Sequence, residues 1–392
     1  MVKIVLALWL ILAWLSVHAE DTLTQPTDAN PKTIERLPLK ELRLFTQVFE
    51  QVRTGYIEEL SDSQLFDRAI EGLLENLDPH SIYLNEEDYQ ELQEDTSGDY
   101  GGVGMEVTTD QGLILVVTPL DNSPAAEAGI KAGDYIVEID GQSVRGIGLQ
   151  KATELLRGEQ GTMVSIGLLR SEQTEIKNLT LERKIIHINS VRSRILEEGY
   201  GYIRIAQFQS DSGNEFKSAL DELQAEGPLQ GLILDLRNNP GGLLPESIAI
   251  ADALLDQGLI VYTEGRLPSA NIEYQATSGD LLNGAPIAVI INGGSASASE
   301  IVAGALQDQG RATILGNRSF GKGSVQTLMP LGDGRAIKLT TANYFTPSGR
   351  SIHGEGIEPD SLVEPTEEGA ENSPDLQLKA AIDWLNGLQS SD

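Results

Sequence analysis

The chain lacks cysteine and is poor in basic residues. Without cysteine its 392 residues form no disulfide bond and offer no lipoprotein attachment site. Only 28 residues are Lys or Arg, against 59 Asp or Glu, which gives a formal net charge of −31. A surface this acidic repels phosphate groups, so we expect no nucleic-acid partner.

Histidine is also scarce. The chain has four, His18, His80, His187 and His353, and they are far apart in the sequence without the spacing of metal ligands. We therefore expect no metal site and no other cofactor.

Long apolar runs are absent except at the N-terminus. There Lys3 precedes the apolar run Ile4–Val17, and Val17 and Ala19 form a small-residue cleavage site. The pattern predicts a signal peptide, residues 1–19, with an uncleaved membrane anchor as the alternative. A cysteine-free exported protein is typical of a bacterial periplasm, where an uncleaved signal would leave it membrane-associated.

The remaining chain changes character along its length, which predicts a multidomain α+β and α/β protein. Apolar residues recur at helical spacing first, short β-type runs between Gly, Asp and Pro turns follow, and strands then alternate with helices. That alternation predicts right-handed β-α-β units on a mostly parallel sheet. We assign a helical region to 33–95, a β module to 97–184, an α/β core to 185–365, and a linker with a final helix to 366–392.

Two strand-to-helix junctions of the α/β core carry candidate chemistry: DLRNNPGG (235–242) and NGGSASASE (292–300). Ligands of open α/β sheets gather beyond the carboxyl ends of the strands. Backbone N–H groups at a Gly-rich turn form an anion pocket, so Gly241 and Gly242 are oxyanion-hole candidates that face a serine. Ordinary helix caps and turns are the alternative interpretation. No histidine lies beside these serines in the sequence.

The segment GNRSFGKGSVQ (316–326) contains a lysine, Lys322, as a candidate base in place of histidine. It nearly matches a phosphate-binding P-loop, but Gly323 stands where Ser or Thr should follow Lys322, and a strand-like run follows instead of a helix. A buried neutral lysine can instead accept a proton from a serine hydroxyl. Gln326 lies at an even spacing from Lys322, so in a strand its carboxamide oxygen would accept a hydrogen bond from the lysine. An exposed lysine in a glycine loop is the alternative.

The β module begins with a loop of its own, Gly102-Val103-Gly104-Met105. Such a loop offers backbone N–H groups to a peptide C-terminal carboxylate, and the adjacent strand edge accepts the peptide as an added strand. The run SPAAEAGIKAGDYIVEIDG that follows strengthens this interpretation.

Together these motifs resemble the carboxy-terminal processing peptidases, or tail-specific serine proteases. The resemblance covers nearly everything after the signal and implies a PDZ-like module before a ClpP/crotonase-like protease core. It implies that Ser297 is the nucleophile, Lys322 the general base and Gln326 its partner. It further implies that the Ala298 amide and one glycine of the NPGG turn form the oxyanion hole. We consider Arg157, after the helix of the β module, as a sensor that contacts the core, with a solvated surface arginine as the alternative.

The resemblance implies a serine endopeptidase that captures the free apolar C-terminus of a protein and cleaves it through an acyl-enzyme. The helices at both ends of the chain suggest a homodimer, and a regulatory adaptor is a further candidate partner. The alternative function is a non-catalytic periplasmic binding or scaffold protein that uses the PDZ-like module.

Overall fold

The structure, a computed structural model, describes residues 38–170, 175–196, 199–225, 227–365 and 374–389. The predicted signal peptide and most of the predicted linker after residue 365 lie outside these residues. The chain divides into two compact units, residues 1–67 and 68–392, with the boundary inside the second helix.

Helices dominate the first part of the chain, as its apolar spacing predicts. The elements are α1 (Leu39–Gly55), α2 (Asp62–Glu75), the short strand β1 (Ile82–Leu84) and α3 (Glu86–Ser97). Within the first unit, the rings of Phe49 and Phe66 stack with centroids 4.5 Å apart. In the second unit α3 begins after Asn85, whose side chain caps the helix by accepting a hydrogen bond from the Asp88 amide at 3.0 Å.

The β module is a sheet in the order β3-β4-β5-β7-β8, with β6 paired to β5. Its elements are β2 (Asp99–Gly102), β3 (Met105–Asp110), β4 (Leu113–Pro119), α4 (Pro124–Glu127), β5 (Tyr135–Ile139), β6 (Gln142–Ser143), α5 (Leu149–Leu156), β7 (Met163–Leu169), β8 (Lys177–Glu182) and β9 (Lys184–His187). Alternate residues of the strands, such as Val116, Ile136 and Ile166, fill its core. Strands β2 and β9 are the first and last strands of the module in the sequence, and they pair with each other as a separate antiparallel ribbon.

The α/β core carries a six-stranded sheet in the order β10-β11-β12-β15-β16-β19, parallel from β11 onward. Its elements are β10 (Val191–Ile195), β11 (Gly201–Ile205), α6 (Ser212–Leu223), β12 (Leu232–Asp235), α7 (Leu244–Leu254), β13 (Leu259–Gly265), β14 (Ile272–Gln275), β15 (Ile287–Ile291), α8 (Ala298–Asp308), β16 (Ala312–Gly316), β17 (Ser324–Gly332), β18 (Arg335–Phe345), β19 (Ser361–Leu362) and α9 (Leu376–Gln389). Every residue of β12 and β15 is buried because apolar clusters cover both faces of this sheet.

Strand β12 pairs directly with β15, so the loops after these two strands leave the sheet side by side. These loops are the predicted junctions 235–242 and 292–300. A second sheet has the strand order β1-β18-β13-β14. Strand β17, which begins two residues after Lys322, pairs with the edge of β18 opposite to β1 and β13. The strand-like run expected after Lys322 is β17, which forms a hairpin with β18.

Candidate active site

Hydrogen bonds join the two predicted junctions into one structure. The main-chain oxygen of Asn239 accepts hydrogen bonds from the Ala296 amide and from the Ser299 hydroxyl, both at 3.0 Å. The Ser295 hydroxyl donates to the Leu236 main-chain oxygen at 2.8 Å. The serines on either side of Ser297 therefore hold the loops together, which leaves Ser297 as the serine of the stretch suited to chemistry.

Ser297 sits at the turn from β15 into α8 in an unusual backbone conformation. It is the N-cap of α8, with φ 53° and ψ −112°, and its exposed fraction is 9%. A non-glycine residue at positive φ carries strain that the surroundings must stabilise, and such strain clusters at functional sites. Here the Ser297 amide donates to Glu300 Oε2 at 2.8 Å, which helps to hold the turn.

Glu300, which the sequence reasoning missed, joins the serine loop to the lysine loop. Its fully buried carboxylate accepts hydrogen bonds from four donors: the amides of Ser297, Gly321 and Lys322 at 2.8, 2.6 and 2.9 Å, and the Ser319 hydroxyl at 2.6 Å. Burial raises the pKa of Glu300, and these hydrogen bonds oppose the rise. The spacing Ser297-x-x-Glu300 is a capping-box pattern, a signal that would have found this residue.

Lys322 is half-buried beside Glu300, and its environment favours the neutral amine. Burial lowers the pKa of Lys322, the ammonium of Lys338 lowers it further, and the carboxylate of Glu300 opposes the change. A lysine with a lowered pKa has a larger neutral fraction near neutral pH and can accept a proton.

Gln326 does not make the contact expected for it. The strand β17 begins only at Ser324, after Lys322, and its register shifts between Val325 and Gln326. The irregularity breaks the simple alternation on which the expectation rested. The Gln326 side chain instead donates from Nε2 to the Ser324 hydroxyl at 2.8 Å, and no hydrogen bond to Lys322 is found among the described residues.

The three oxyanion-hole candidates lie at the join of the two loops. A Cβ on Gly241 would lie 2.7 Å from Ser297 Cβ and 3.0 Å from the Ala298 amide nitrogen, so only glycine allows this approach. The Gly241 amide donates to Asn239 Oδ1 at 2.9 Å. Within the described chain, the amides of Gly242 and Ala298 have no acceptor.

Two histidines that are far apart in the sequence lie near Lys322. Burial lowers the pKa of His80, and the charges of Lys322, His353 and Lys338 lower it further against the opposing charge of Asp78. His80 reaches this region although it is distant in the sequence, because the turn before β1 packs beside β18. Hydrogen bonds hold this turn in place, since the Thr340 hydroxyl donates to Asp78 Oδ1 at 3.0 Å.

The loop Gly102–Met105 lies between β2 and β3 and borders a groove of the β module. A cavity of about 200 Å³ there is lined by Val103, Gly104, Met105, Tyr100, Leu156 and Arg157. Among the described residues, no acceptor binds the amides of Val103 and Gly104. Arg157 contacts β2 and α3: its guanidinium lies 4.7 Å from the Tyr100 ring centroid and 3.6 Å from Glu94 Oε2.

Profiles of known families match three parts of the chain. The profile of peptidase family S41 matches residues 199–363, a PDZ domain profile matches 115–170, and the profile of the N-terminal domain of the activating protease CtpB matches 5–88. A carboxy-terminal-processing protease from Bartonella bacilliformis is 46% identical over 84% of this chain and 76% of its own. A carboxyl-terminal-processing protease from Picosynechococcus is 38% identical over 89% and 90%.

Solved structures of related proteins are also similar. The photosystem II D1 C-terminal processing protease is 31% identical over 83% of this chain and 93% of its own, with a TM-score of 0.49. A putative S41 protease from Bacteroides fragilis shares the fold, with a TM-score of 0.53 and 17% identity over 87% and 97% of the two chains. The chain belongs to peptidase family S41. It is a serine-type carboxy-terminal-processing peptidase with a PDZ domain.

Proposed function

We propose that Ser297 is the nucleophile and Lys322 the general base of this peptidase. Ser297 Oγ attacks the scissile carbonyl carbon while the neutral Lys322 amine accepts the hydroxyl proton. The resulting ammonium returns that proton to the leaving amine, and water then hydrolyses the acyl-enzyme. The observation that carries the proposal is the shared acceptor Glu300 Oε2, which binds the amides of both residues.

We further propose that the amides of Ala298 and Gly242 stabilise the oxyanion. Both lack an acceptor in the described chain, whereas the Gly241 amide is bound to Asn239 Oδ1. The Gly241 carbonyl accepts from the Phe208 amide at 2.9 Å. In a trans peptide the following N–H, that of Gly242, points the opposite way and stays available. The parallel sheet with a nucleophile at a helix start supports a ClpP/crotonase-like classification of the core.

The substrate, on this proposal, is a protein with a free apolar C-terminus. The unbound amides of Val103 and Gly104 suit the terminal carboxylate, and the apolar walls of the 200 Å³ groove suit its last side chains. Arg157 at the groove is the proposed sensor of the bound tail. Its contacts with Tyr100 and Glu94 support transmission through β2 and α3.

Cleavage of an unfolded protein with an apolar C-terminal tail tests the catalytic roles. Mass spectrometry should find products with the wild-type chain and with Lys217→Ala, a control at an exposed lysine of α6. We expect Ser297→Ala and Lys322→Ala to yield none above background. Undiminished cleavage by either variant, folded as judged by circular dichroism, would refute the assigned roles.

We propose that the chain is exported by its N-terminal signal to a periplasm, or stays membrane-associated if the signal is not removed. Lys3 and the run Ile4–Val17 support this proposal. In the part of the chain that the structure describes, no helix is long and apolar enough to cross a membrane. The mass of the mature protein purified from its native host tests the proposed cleavage after Ala19.

We also propose a homodimer, with a regulatory adaptor as a second protein partner. The support for association is α1 in the first unit, which has no buried residue and leaves several large apolar side chains exposed: Leu42 at 44%, Phe45 at 45%, Val48 at 55% and Val52 at 39%. Light scattering of the wild type and of Phe45→Glu measures this association.

A further inference from the structure

Strand β17 is an open, uncharged edge in a strongly acidic protein. This nine-residue strand pairs with β18 on one side, and in the described chain no strand pairs with the other side. Charged residues make up 22% of the chain, yet β17 contains none. Leu328, Met329 and Leu331 are exposed at 39%, 36% and 54%. Proteins usually protect such an edge with charge or cover, so an exposed apolar edge of this length indicates a binding site for another strand.

The strand pairing shows which backbone groups of β17 face the open side. Two residues directly opposite each other in an antiparallel pair follow one of two patterns. Either they exchange both N–H···O hydrogen bonds, or the N–H and C=O of each residue point away from the other strand. Thr340 lies opposite Gln326, and its amide donates to Ser81 Oγ at 3.1 Å, on the β1 side of β18. The N–H and C=O of Gln326 therefore point to the open edge, and so do those of Leu328, which is two residues further along the strand. Pro330 follows in the same orientation and has no N–H.

The donor-bearing part of this edge is continuous with the active site. Lys322 comes just before β17, and the Gly323 carbonyl accepts a hydrogen bond from the Tyr344 amide at 2.7 Å, which fixes the start of the strand. On the other side of Lys322, Phe320 is 66% exposed, and its amide donates to the Ser295 carbonyl at 2.9 Å. An apolar, hydrogen-bonding strip thus begins at the proposed base and ends at Pro330.

We propose that the open edge of β17 binds the substrate as an added extended strand, through the backbone of Gln326 and Leu328. The occupant is an unfolded polypeptide that crosses Ser297 beside Lys322, so the inference rests on the catalytic roles proposed above. Backbone pairing does not depend on the substrate sequence, whereas Phe320 and Leu328 favour apolar side chains. The edge would hold the scissile bond in place while the PDZ domain holds the terminus.

A series of peptide substrates, each N-methylated at one backbone amide near the scissile bond, tests this pairing with the wild-type chain. Methylation removes a donor, and in an added strand only every second amide faces β17. We expect kcat/KM to fall about tenfold at alternate positions and to change little at those between, which serve as internal controls. Losses without this alternation would overturn the proposal. If the chain does not cleave the unmethylated peptide, the catalytic assignment fails as well, and this inference fails with it.

A pair of variants tests the protein side of the same hydrogen bonds. Leu328→Pro removes the outward N–H without breaking a bond to β18, and Leu328→Ala removes the side chain but keeps the N–H. We expect Leu328→Pro to lower kcat/KM about tenfold relative to Leu328→Ala at an equal thermal midpoint. Equal activity of the two variants would refute the edge role, as would a dimer that Leu328→Pro alone dissociates, because the occupant would then be a second copy. If Leu328→Pro does not fold, the N-methylated peptides, which are measured with the wild-type chain, decide whether the substrate pairs with β17.

Discussion

Lys322 lies among other basic side chains in an otherwise acidic protein. The charge of Lys338 adds to burial in lowering the pKa of Lys322, whereas the opposing carboxylate, Glu300, accepts hydrogen bonds from four donors. Like charges disfavour protonation, so Lys338 helps to keep the amine of Lys322 available as a base.

The charge of Lys338 should therefore set part of the pH dependence of cleavage. Without this positive charge the protonated form of Lys322 is more stable, and its pKa rises. We expect Lys338→Gln to move the acidic limb of the kcat/KM profile to higher pH, with Lys338→Arg close to wild type. A limb that moves to lower pH, or one that moves equally in both variants, would contradict this mechanism.

Glu300 should affect catalysis through the positions of Ser297 and Lys322. Glu300→Gln replaces one acceptor oxygen with an N–H donor that faces other donors, which we expect to destabilise the fold by about 1–3 kcal/mol. It should also lower kcat about tenfold or more with little change in KM, since the acyl-transfer geometry is lost but the substrate still binds. Chemical unfolding and steady-state kinetics measure both effects. Unchanged kcat in a destabilised variant would leave Glu300 a purely structural residue.

The ribbon of β2 and β9 connects the PDZ domain to the core through His187. The His187 ring nitrogens lie 2.8 Å from Asp99 Oδ1 on β2 and 2.8 Å from Glu215 Oε1 on α6. Hydrogen bonds to Glu215 and then to Asp99 raise the pKa of His187, and burial opposes them only in part.

This connection should depend on pH in a definite direction. A raised folded pKa means that the stabilisation is complete below the ordinary value of 6.5 and is lost as the pH rises through the folded value. We expect His187→Gln to lower the thermal midpoint more at about pH 6 than at about pH 9. A difference that grows with pH would show that the charged histidine does not stabilise the ribbon.

An ion pair just before α9 holds this C-terminal helix at the carboxyl end of strand β12 in the central sheet. Arg237, just after β12, donates to both oxygens of Asp375 at 2.9 and 2.8 Å, and to buried Asp235 at 2.6 Å. Burial by itself raises the pKa of Asp375, but its bonds with Arg237 and the amide of Leu378 bring it below the ordinary value. A segment at the chain terminus thus supports the loop that carries the NPGG turn.

Loss of this ion pair should destabilise the protein above acidic pH. Because the folded pKa of Asp375 is lowered, its stabilisation is present above the unfolded value and is lost as the pH falls through the folded one. We expect Asp375→Asn to lower the thermal midpoint at about pH 7 and to have less effect at about pH 3. Asp383→Asn, an exposed position on the same helix, should have no effect at either pH. Equal effects at both pH values would contradict the ion pair.

Local patterns in the chain predicted many of its secondary-structure elements. Apolar spacing gave the helices and the buried strands β12 and β15, since burial on one or both faces imposes a period on the residues themselves. Motif order pointed to Ser297 and Lys322 and to the family, because the residue types that chemistry requires recur at fixed places along the chain.

Only the folded chain decided which side chains meet. Glu300 contacts the lysine loop, His80 and His353 approach Lys322, and Gln326 turns to Ser324, because strand pairing and a bulge bring together or separate residues whose distance along the sequence carries no such information. The open edge of β17 is likewise decided by the sheet order. Pro330 is compatible with an edge strand, but only the pairing shows which side of β17 stays open among the described residues.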